Sequence, residues 1–252
     1  MEKPPDYYEQ YWDPATNKDW FPSSKDSLCH EEIKLIQTFF PEKGSVVDYG
    51  CGDGERYGRY LNQAGYNYYG FDISRTAIEH AHELGLNASL LHENGTTSMD
   101  PNVADAAICF EVIEHLINPE AAVTEIFRIL KPGSRLIASV PNASFWPNRL
   151  EFLFRGSFPP GGSPLLSRSR PWQDPHIRFF SPRLFMKLFK SAGFSNVRLV
   201  PLDFSLAYIP FFHRFPKVRR FLDWVSIPLR PLSRIFPSLL AYRLFVVVEK
   251  SI

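Results

Sequence analysis

Between residues 45 and 140 the apolar positions fall into short runs separated by amphipathic stretches. Ser45 to Tyr49 reads as a buried strand that stops at Gly50. Glu55 to Ala64 reads as a helix closed by Gly65, and Tyr66 to Phe71 as a strand ending at Asp72. Ser74 is placed to cap a helix running to Leu84, with Gly85 behind it. Ala88 to Leu91 and Ala104 to Phe110 are further strands. Asn118-Pro119-Glu120 supplies the cap and first-turn proline of a helix to Leu130. Lys131-Pro132-Gly133 ends that helix, and Arg135 to Val140 resumes as strand. Strands alternating with helices at this spacing predict an α/β fold, with a parallel, doubly wound sheet covered by helices on both faces.

The rhythm breaks at Pro141. Eight prolines and the pair Gly161-Gly162 fall between Pro141 and Pro182. So long an irregular stretch (141–181) predicts a functional loop or a lid. Ser181-Pro182 opens a helix to Ala192. Asn196 to Leu202 and Arg243 to Val248 read as the last two strands, with a proline-broken insertion, residues 205–240, between them. Residues 1–40 form a separate N-terminal helical or lid segment ahead of one domain, 41–252. In it Tyr7, Tyr8, Tyr11 and Trp12 either cover a ligand or pack on the sheet edge.

Composition narrows the class. The chain has 252 residues, 44% of them hydrophobic, and a formal charge of +1. That is enough to bury a full core, and the balanced charge argues against a globally basic nucleic-acid binder. The balance hides an asymmetry. Residues 1–32 carry eight acids against three lysines, whereas residues 205–240 carry six cations against one acid. That insertion is also aromatic, so it reads either as a cap on a ligand pocket or as a peripheral contact with the inner membrane surface. Cys29, Cys51 and Cys109 are scattered, which points to a reducing compartment. The N-terminus lacks the apolar core of a signal peptide, and no apolar run reaches the ~18–20 residues of a spanning helix, so a cytoplasmic protein is expected. Nothing in the sequence fixes an oligomeric state.

The candidate chemistry begins at Val46-Val-Asp-Tyr-Gly-Cys-Gly-Asp-Gly54. An acid closes a buried strand, and a glycine-rich turn follows it into a helix. A dinucleotide fingerprint needs a glycine where Glu55 stands. Asp48 before the turn repels a pyrophosphate and attracts an ammonium, which disfavours a nicotinamide dehydrogenase. Some 20 residues on, Asp72 closes the second strand, where a carboxylate accepts the two hydroxyls of a ribose. Ile73 beside it suits a purine face. An amino-acid cation, a ribose and an adenine together describe S-adenosylmethionine.

With these pieces the sequence resembles the class I S-adenosylmethionine-dependent methyltransferases. The matching stretches are VVDYGCGDG (46–54), GFDIS (70–74), ADAAICFEVIEHL (104–116), LKPGS (130–134) and SVPN (139–142). The resemblance implies a Rossmann-like seven-stranded sheet whose last strand is antiparallel. It implies that Asp48, Gly50, Cys51 and Gly52 hold the methionine moiety, that Asp72 holds the ribose and that Ile73 lies by the adenine. Glu93 or Asn94 falls at the adenine edge, and Phe110 and Glu111 fall beside the sulfonium. The usual acidic-small pair after the third strand is replaced here by Glu93-Asn94-Gly95.

Glu111-Val-Ile-Glu114-His115 sets three polar groups at i, i+3 and i+4, which share one face if the turn is helical. His115 then reads either as a general base for an acceptor hydroxyl or as a ligand. In the second reading Glu111, Glu114, His115 and the distant His176 hold Mg²⁺, Mn²⁺ or Zn²⁺. The E-x-x-E-H string resembles ubiquinone-pathway O-methyltransferases and small-RNA 2′-O-methyltransferases, and it also occurs in methyltransferases without metal. The expected activity is methyl transfer to an oxygen of a small molecule, a sugar or a lipid-linked acceptor. A metal-dependent RNA 2′-O-methyltransferase and a non-catalytic scaffold are the alternatives. Arg149, Arg155, Arg168 and Arg170 are candidates to meet an anionic group on the acceptor.

Overall fold

The computed structural model describes residues 4–12, 30–156, 176–200 and 216–251. Two N-terminal helices, α1 (Pro4–Trp12) and α2 (His30–Phe39), precede the first strand. The order is then β1 (Ser45–Tyr49), α3 (Gly58–Gln63), β2 (Asn67–Asp72), α4 (Arg75–Glu83), β3 (Ala88–Leu90) and β4 (Ala104–Phe110). A 3₁₀ turn (Ile113–His115), α5 (Pro119–Ile129) and β5 (Leu130–Pro141) follow, then α6 (Trp146–Arg155), α7 (Pro182–Ser191) and β6 (Phe194–Val200). Helices α8 (Pro216–Ser226), α9 (Arg230–Ile235) and α10 (Pro237–Leu240) lead into β7 (Arg243–Lys250). No helix among the described residues is long and apolar enough to cross a membrane.

The strands form one seven-stranded sheet in the order β3-β2-β1-β4-β5-β7-β6. β7 runs antiparallel to both of its neighbours, and the pairs across β1–β5 are parallel. The chain order reverses between β1 and β4, whose register sets Val46 against Ala106 and Asp48 against Ile108. In open α/β sheets that reversal opens a crevice beyond the carboxyl ends of the two strands.

Successive residues of each strand point to opposite faces, so each strand feeds two cores. Val47, Tyr49, Ala107, Cys109 and Leu136 pack under α5 and α7, with Ile126, Phe185 and Phe189 fully buried. Val46, Ala106, Ile108 and Ile137 pack under α2, α3 and α4, with Ile36, Leu61 and Ala81 fully buried. Such strands, buried on both sides, are the apolar runs visible in the sequence.

Boundaries differ from the sequence reading by more than one residue at α3, β5, β6 and β7, the last of which runs on to Lys250. α3 starts at Gly58 rather than Glu55, because Gly54 adopts φ +70° and the Asp53 side chain accepts from Glu55 N at 3.0 Å. That local turn competes with helix. β5 starts at Leu130 rather than Arg135, since Leu130 already pairs with Ala104 across a bulge. β6 lies two residues earlier than expected, with a register shift between Ser195 and Arg198 and Asn196 at φ +49°.

Candidate active site

The loop after β1 is tied to the end of β2. Gly50 N and Cys51 N both donate to Phe71 O, at 2.7 and 3.0 Å, and Gly52 N donates to Asp72 Oδ2 at 2.8 Å. Gly50 and Gly52 sit at φ +80° and +56°, the left-handed region that favours glycine. A Cβ on Gly50 would enter the side chain of Val112, and one on Gly52 would enter the ring of Trp12. The N-terminal segment therefore reaches over the loop and touches it.

Both predicted acids stand near the carboxyl ends of their strands, Asp48 in β1 and Asp72 at the end of β2. Asp48 is buried, and Tyr68 donates its hydroxyl to Asp48 Oδ2 at 3.2 Å. Burial pushes the Asp48 carboxyl up to about 7, the Tyr68 hydroxyl opposes that rise, and the nearby Asp72 adds to it. A cation placed beside it would reverse the effect. Asp72 Oδ1 accepts from Ser74 N at 3.0 Å. Each Asp72 oxygen keeps acceptor capacity, which is what a pair of ribose hydroxyls requires. Ile73 is half-buried next to it. Cys51 is half-buried, and its Sγ lies where a Cβ on Gly70 would need to go. Glu93 and Asn94 are exposed on the turn after β3, and Asn94 Oδ1 accepts from Thr96 N and Thr96 Oγ1 at 3.1 and 2.7 Å. Asn94 thus shapes its own turn.

The second cluster forms where β4 ends. Phe110 is buried against Tyr57. Glu111 takes φ +55°, donates its N–H to Ser139 O at 3.1 Å and accepts from the Ser139 hydroxyl at 2.7 Å. Burial raises the Glu111 carboxyl, and Arg243 and the Ser139 hydroxyl counter that. The helical turn begins only at Ile113, so Glu111 does not share a helix face with Glu114 and His115.

Glu114, His115 and His176 do come together. Their donor atoms lie within 4.8 Å of one another, and the two imidazoles stack at 4.6 Å. His115 Nε2 and His176 Nε2 each lie 3.8 Å from Glu114 Oε1. Ile177 N and Arg178 N donate to Glu114 O at 3.0 and 2.9 Å, which fastens the segment carrying His176 to the turn. Glu114 is 1% exposed, and neither of its carboxylate oxygens has a hydrogen-bond partner. Burial and the neighbouring Glu111 push its carboxyl well above the usual range. A buried carboxylate with two orphaned oxygens beside two stacked imidazoles is costly as it stands, and it fits a divalent cation.

Sequence reasoning missed two contributors, Glu9 and Glu32, and named Tyr8 only as one of an aromatic cluster. Glu9 of α1 crowns the start of α4. Its carboxylate accepts from Arg75 N at 2.7 Å, Thr76 N and Ser74 Oγ at 3.0 Å, and Thr76 Oγ1 at 2.7 Å. Tyr8 meets the His115 ring edge-on at 6.2 Å. Glu32, wholly buried, accepts from Arg243 Nη1 at 2.6 Å and from Arg56 Nη2 at 3.4 Å, joining α2 to β7 and to the loop before α3. The signal for α1 was its aromatic cluster, whereas Glu9 and Glu32 carried none. Arg149 donates to Ser144 O at 2.5 Å and to Ser238 Oγ at 2.8 Å, so it is occupied within the protein. Arg168, Arg170 and the rest of 157–175 lie outside the described residues, as do the side chain of Arg155, Cys29, and residues 201–215, which include the first part of the insertion.

The topology, the glycine turn and the two strand-end acids can now be set beside known proteins. The family described as "Methyltransferase domain" matches residues 25–199. The chain belongs to this family. A ubiquinone biosynthesis O-methyltransferase of Ralstonia nicotianae is 30% identical over 131 residues, 48% of this chain and 55% of that one. The chain thus spans about half the length of that relative. An enzyme of the same name from Azoarcus is 26% identical over 216 residues, covering 81% and 86% of the two chains. A solved structure from Thermotoga maritima, titled a possible histamine N-methyltransferase, superposes with TM-score 0.63 at 18% identity over 98% of this chain and 99% of that one. This methyltransferase domain has the class I fold, and the cofactor of the class is S-adenosylmethionine.

Proposed function

We propose that the protein methylates an oxygen of a small-molecule or lipid-linked acceptor and uses a divalent cation held by Glu114, His115 and His176. The observation that carries the reading is the buried carboxylate of Glu114, without a hydrogen-bond partner, beside two stacked imidazoles. Oxygen as the acceptor atom is supported by relatives whose names specify O-methylation. S-Adenosylmethionine supplies an electrophilic methyl group, and a divalent cation such as Mg²⁺, Mn²⁺ or Zn²⁺ supplies Lewis acidity for a hydroxyl.

The chain's own residues divide the remaining work. Asp48 and the N–H groups of the Gly50–Gly52 turn bind the amino-acid end, and Asp72 binds the ribose. Ile73 lines the adenine side, with Glu93 and Asn94 at its rim. Phe110 and Glu111 bound the reacting end, where Ser139 and Arg243 hold the Glu111 carboxylate in place. Trp12 and Tyr8 close the crevice from above, which excludes water from the transfer. A second reading, His115 as general base without metal, is favoured by its partial exposure at 18%.

The test is transfer of labelled methyl from S-adenosylmethionine to a panel of phenols, catechols and sugars, with EDTA and then with added Mg²⁺, Mn²⁺ or Zn²⁺. Turnover abolished by EDTA, restored by metal and lost in Glu114→Gln is expected. Turnover indifferent to EDTA and retained in Glu114→Gln would overturn the metal reading and leave His115 as the base.

A further inference from the structure

The helices before β7 expose side chains that a water-facing helix normally buries. On α8, Phe221 is 61% and Trp224 69% exposed, and Lys217 and Arg220 stand exposed on the same helix. At i, i+3, i+4 and i+7 these four share one face. α9 repeats the mixture with exposed Arg234 and Ile235, followed by exposed Phe236.

A second element joins this surface. α6 exposes Leu153 at 71% and Phe154 at 78%. It is fastened to α10 through Arg149 and the Ser238 hydroxyl, and Asn142 Nδ2 donates to Pro237 O at 3.1 Å and Ala241 O at 2.7 Å. Pro141 at the end of β5 pairs with Arg243 at the start of β7, so α6 and α8–α10 rise from the same edge of the sheet. That edge also carries the carboxyl ends of β1 and β4.

We infer that α8–α10 and the outer face of α6 form one surface that docks on an anionic lipid bilayer. Aromatic and aliphatic groups enter the interface while lysine and arginine meet the headgroups, and short helices suit a surface that lies on the bilayer without crossing it. The charge selects the occupant. Among the described side chains Lys217, Arg220 and Arg234 stand exposed on this face, so two copies of it would set like charges against like. Anionic lipid complements them. The docking is independent of which acceptor or metal the site takes, although it brings the crevice to the membrane surface, where a lipid-linked acceptor resides.

The test is sedimentation of the full-length protein with vesicles of phosphatidylcholine alone and of equimolar phosphatidylcholine and phosphatidylglycerol. Light scattering in the absence of lipid is run alongside. Partition into the anionic vesicles only is expected. Replacing Lys217→Gln together with Arg220→Gln should weaken it about twenty-five-fold, at about fivefold per cation. Phe221→Ser with Trp224→Ser should weaken it about a hundredfold. These side chains face solvent, so melting temperature and S-adenosylhomocysteine binding should stay unchanged, which separates this proposal from that for the active site. Equal partition of wild type and variants, or none with either vesicle, would overturn it. So would a dimer in solution that the aromatic variant dissociates, which would assign the face to a second copy.

Discussion

Asp48 gives the sharpest test of the cofactor reading, because its carboxyl is held near 7, within the range of ordinary assays. If the ionised form receives the amino group, binding below that value must first release a proton. About nine tenths of Asp48 is protonated at pH 6 and about one tenth at pH 8, so affinity should be about tenfold lower at pH 6 than at pH 8, or ~1.4 kcal/mol. Calorimetric titration with S-adenosylhomocysteine in EDTA reads this directly. Repeating it in buffers of different ionisation enthalpy counts the proton, close to one at about pH 6 and close to none at about pH 8. Asp48→Asn should flatten the profile and weaken binding at pH 8 by ~1.5–3 kcal/mol, the worth of a hydrogen bond to a charged group. Stability of the free protein should move the other way. A carboxyl raised by burial binds its proton more tightly folded than unfolded, so its contribution is full below about pH 4 and is lost as pH rises to about 7. The loss is up to ~4 kcal/mol, and Asp48→Asn should abolish it. An affinity for S-adenosylhomocysteine that is level from pH 6 to 8 in the wild type, or a slope that survives in Asp48→Asn, would refute the assignment of Asp48 to the ammonium.

Gly52→Ala should lower S-adenosylhomocysteine affinity by more than tenfold, since the new methyl meets Trp12 at a left-handed backbone; stability should fall by ~1–3 kcal/mol. A wild-type isotherm would show that Trp12 does not lie on the loop. Glu114→Gln should raise the melting temperature in EDTA by relieving a buried unpartnered carboxylate, and should remove any rise on adding Mn²⁺. Glu125 is buried in α5, and Arg128 and Thr97 outweigh that burial to hold its carboxyl below the usual range. Its contribution is therefore present above about pH 4 and lost as pH falls, and Glu125→Gln should cost ~1–3 kcal/mol at neutral pH with a smaller acid-induced decline. Glu9→Gln should loosen α1 from α4, read as faster proteolysis ahead of residue 30 and weaker cofactor retention.

Much of the domain was legible because its strands are buried on both faces, which leaves compact apolar runs no amphipathic helix imitates. Ser45–Tyr49 and Ala104–Phe110 are such runs, and their limits match the observed strands. Helix starts were legible where a side chain performs the cap, as Ser74, Asn118 and Ser181 do. They were misread at α3, where a competing aspartate turn holds the first residues out of the helix. The two strand-end acids could be read because the chain must bring Asp48 and Asp72 to one edge of a parallel sheet.

What could not be read is whatever depends on where distant segments land. Spacing alone put Glu111 on one face with Glu114 and His115, but the left-handed backbone at Glu111 turns its carboxylate to Ser139. The three-residue cluster instead needs His176, brought in from beyond a proline-rich stretch by two backbone hydrogen bonds to Glu114 O. Glu32 meets Arg243 across 211 residues of chain, and Glu9 meets Thr76 across 67. These contacts have a common consequence. The glycine turn proposed for the methionine end is a local product of β1, β2 and their turns, whereas the rim is assembled from α1, α2, the segment at 176 and the start of β7. Changes in the rim can therefore alter what is methylated while leaving the cofactor loop intact, so acceptor choice should map to Tyr8, His176 and Arg243 rather than to the glycine turn.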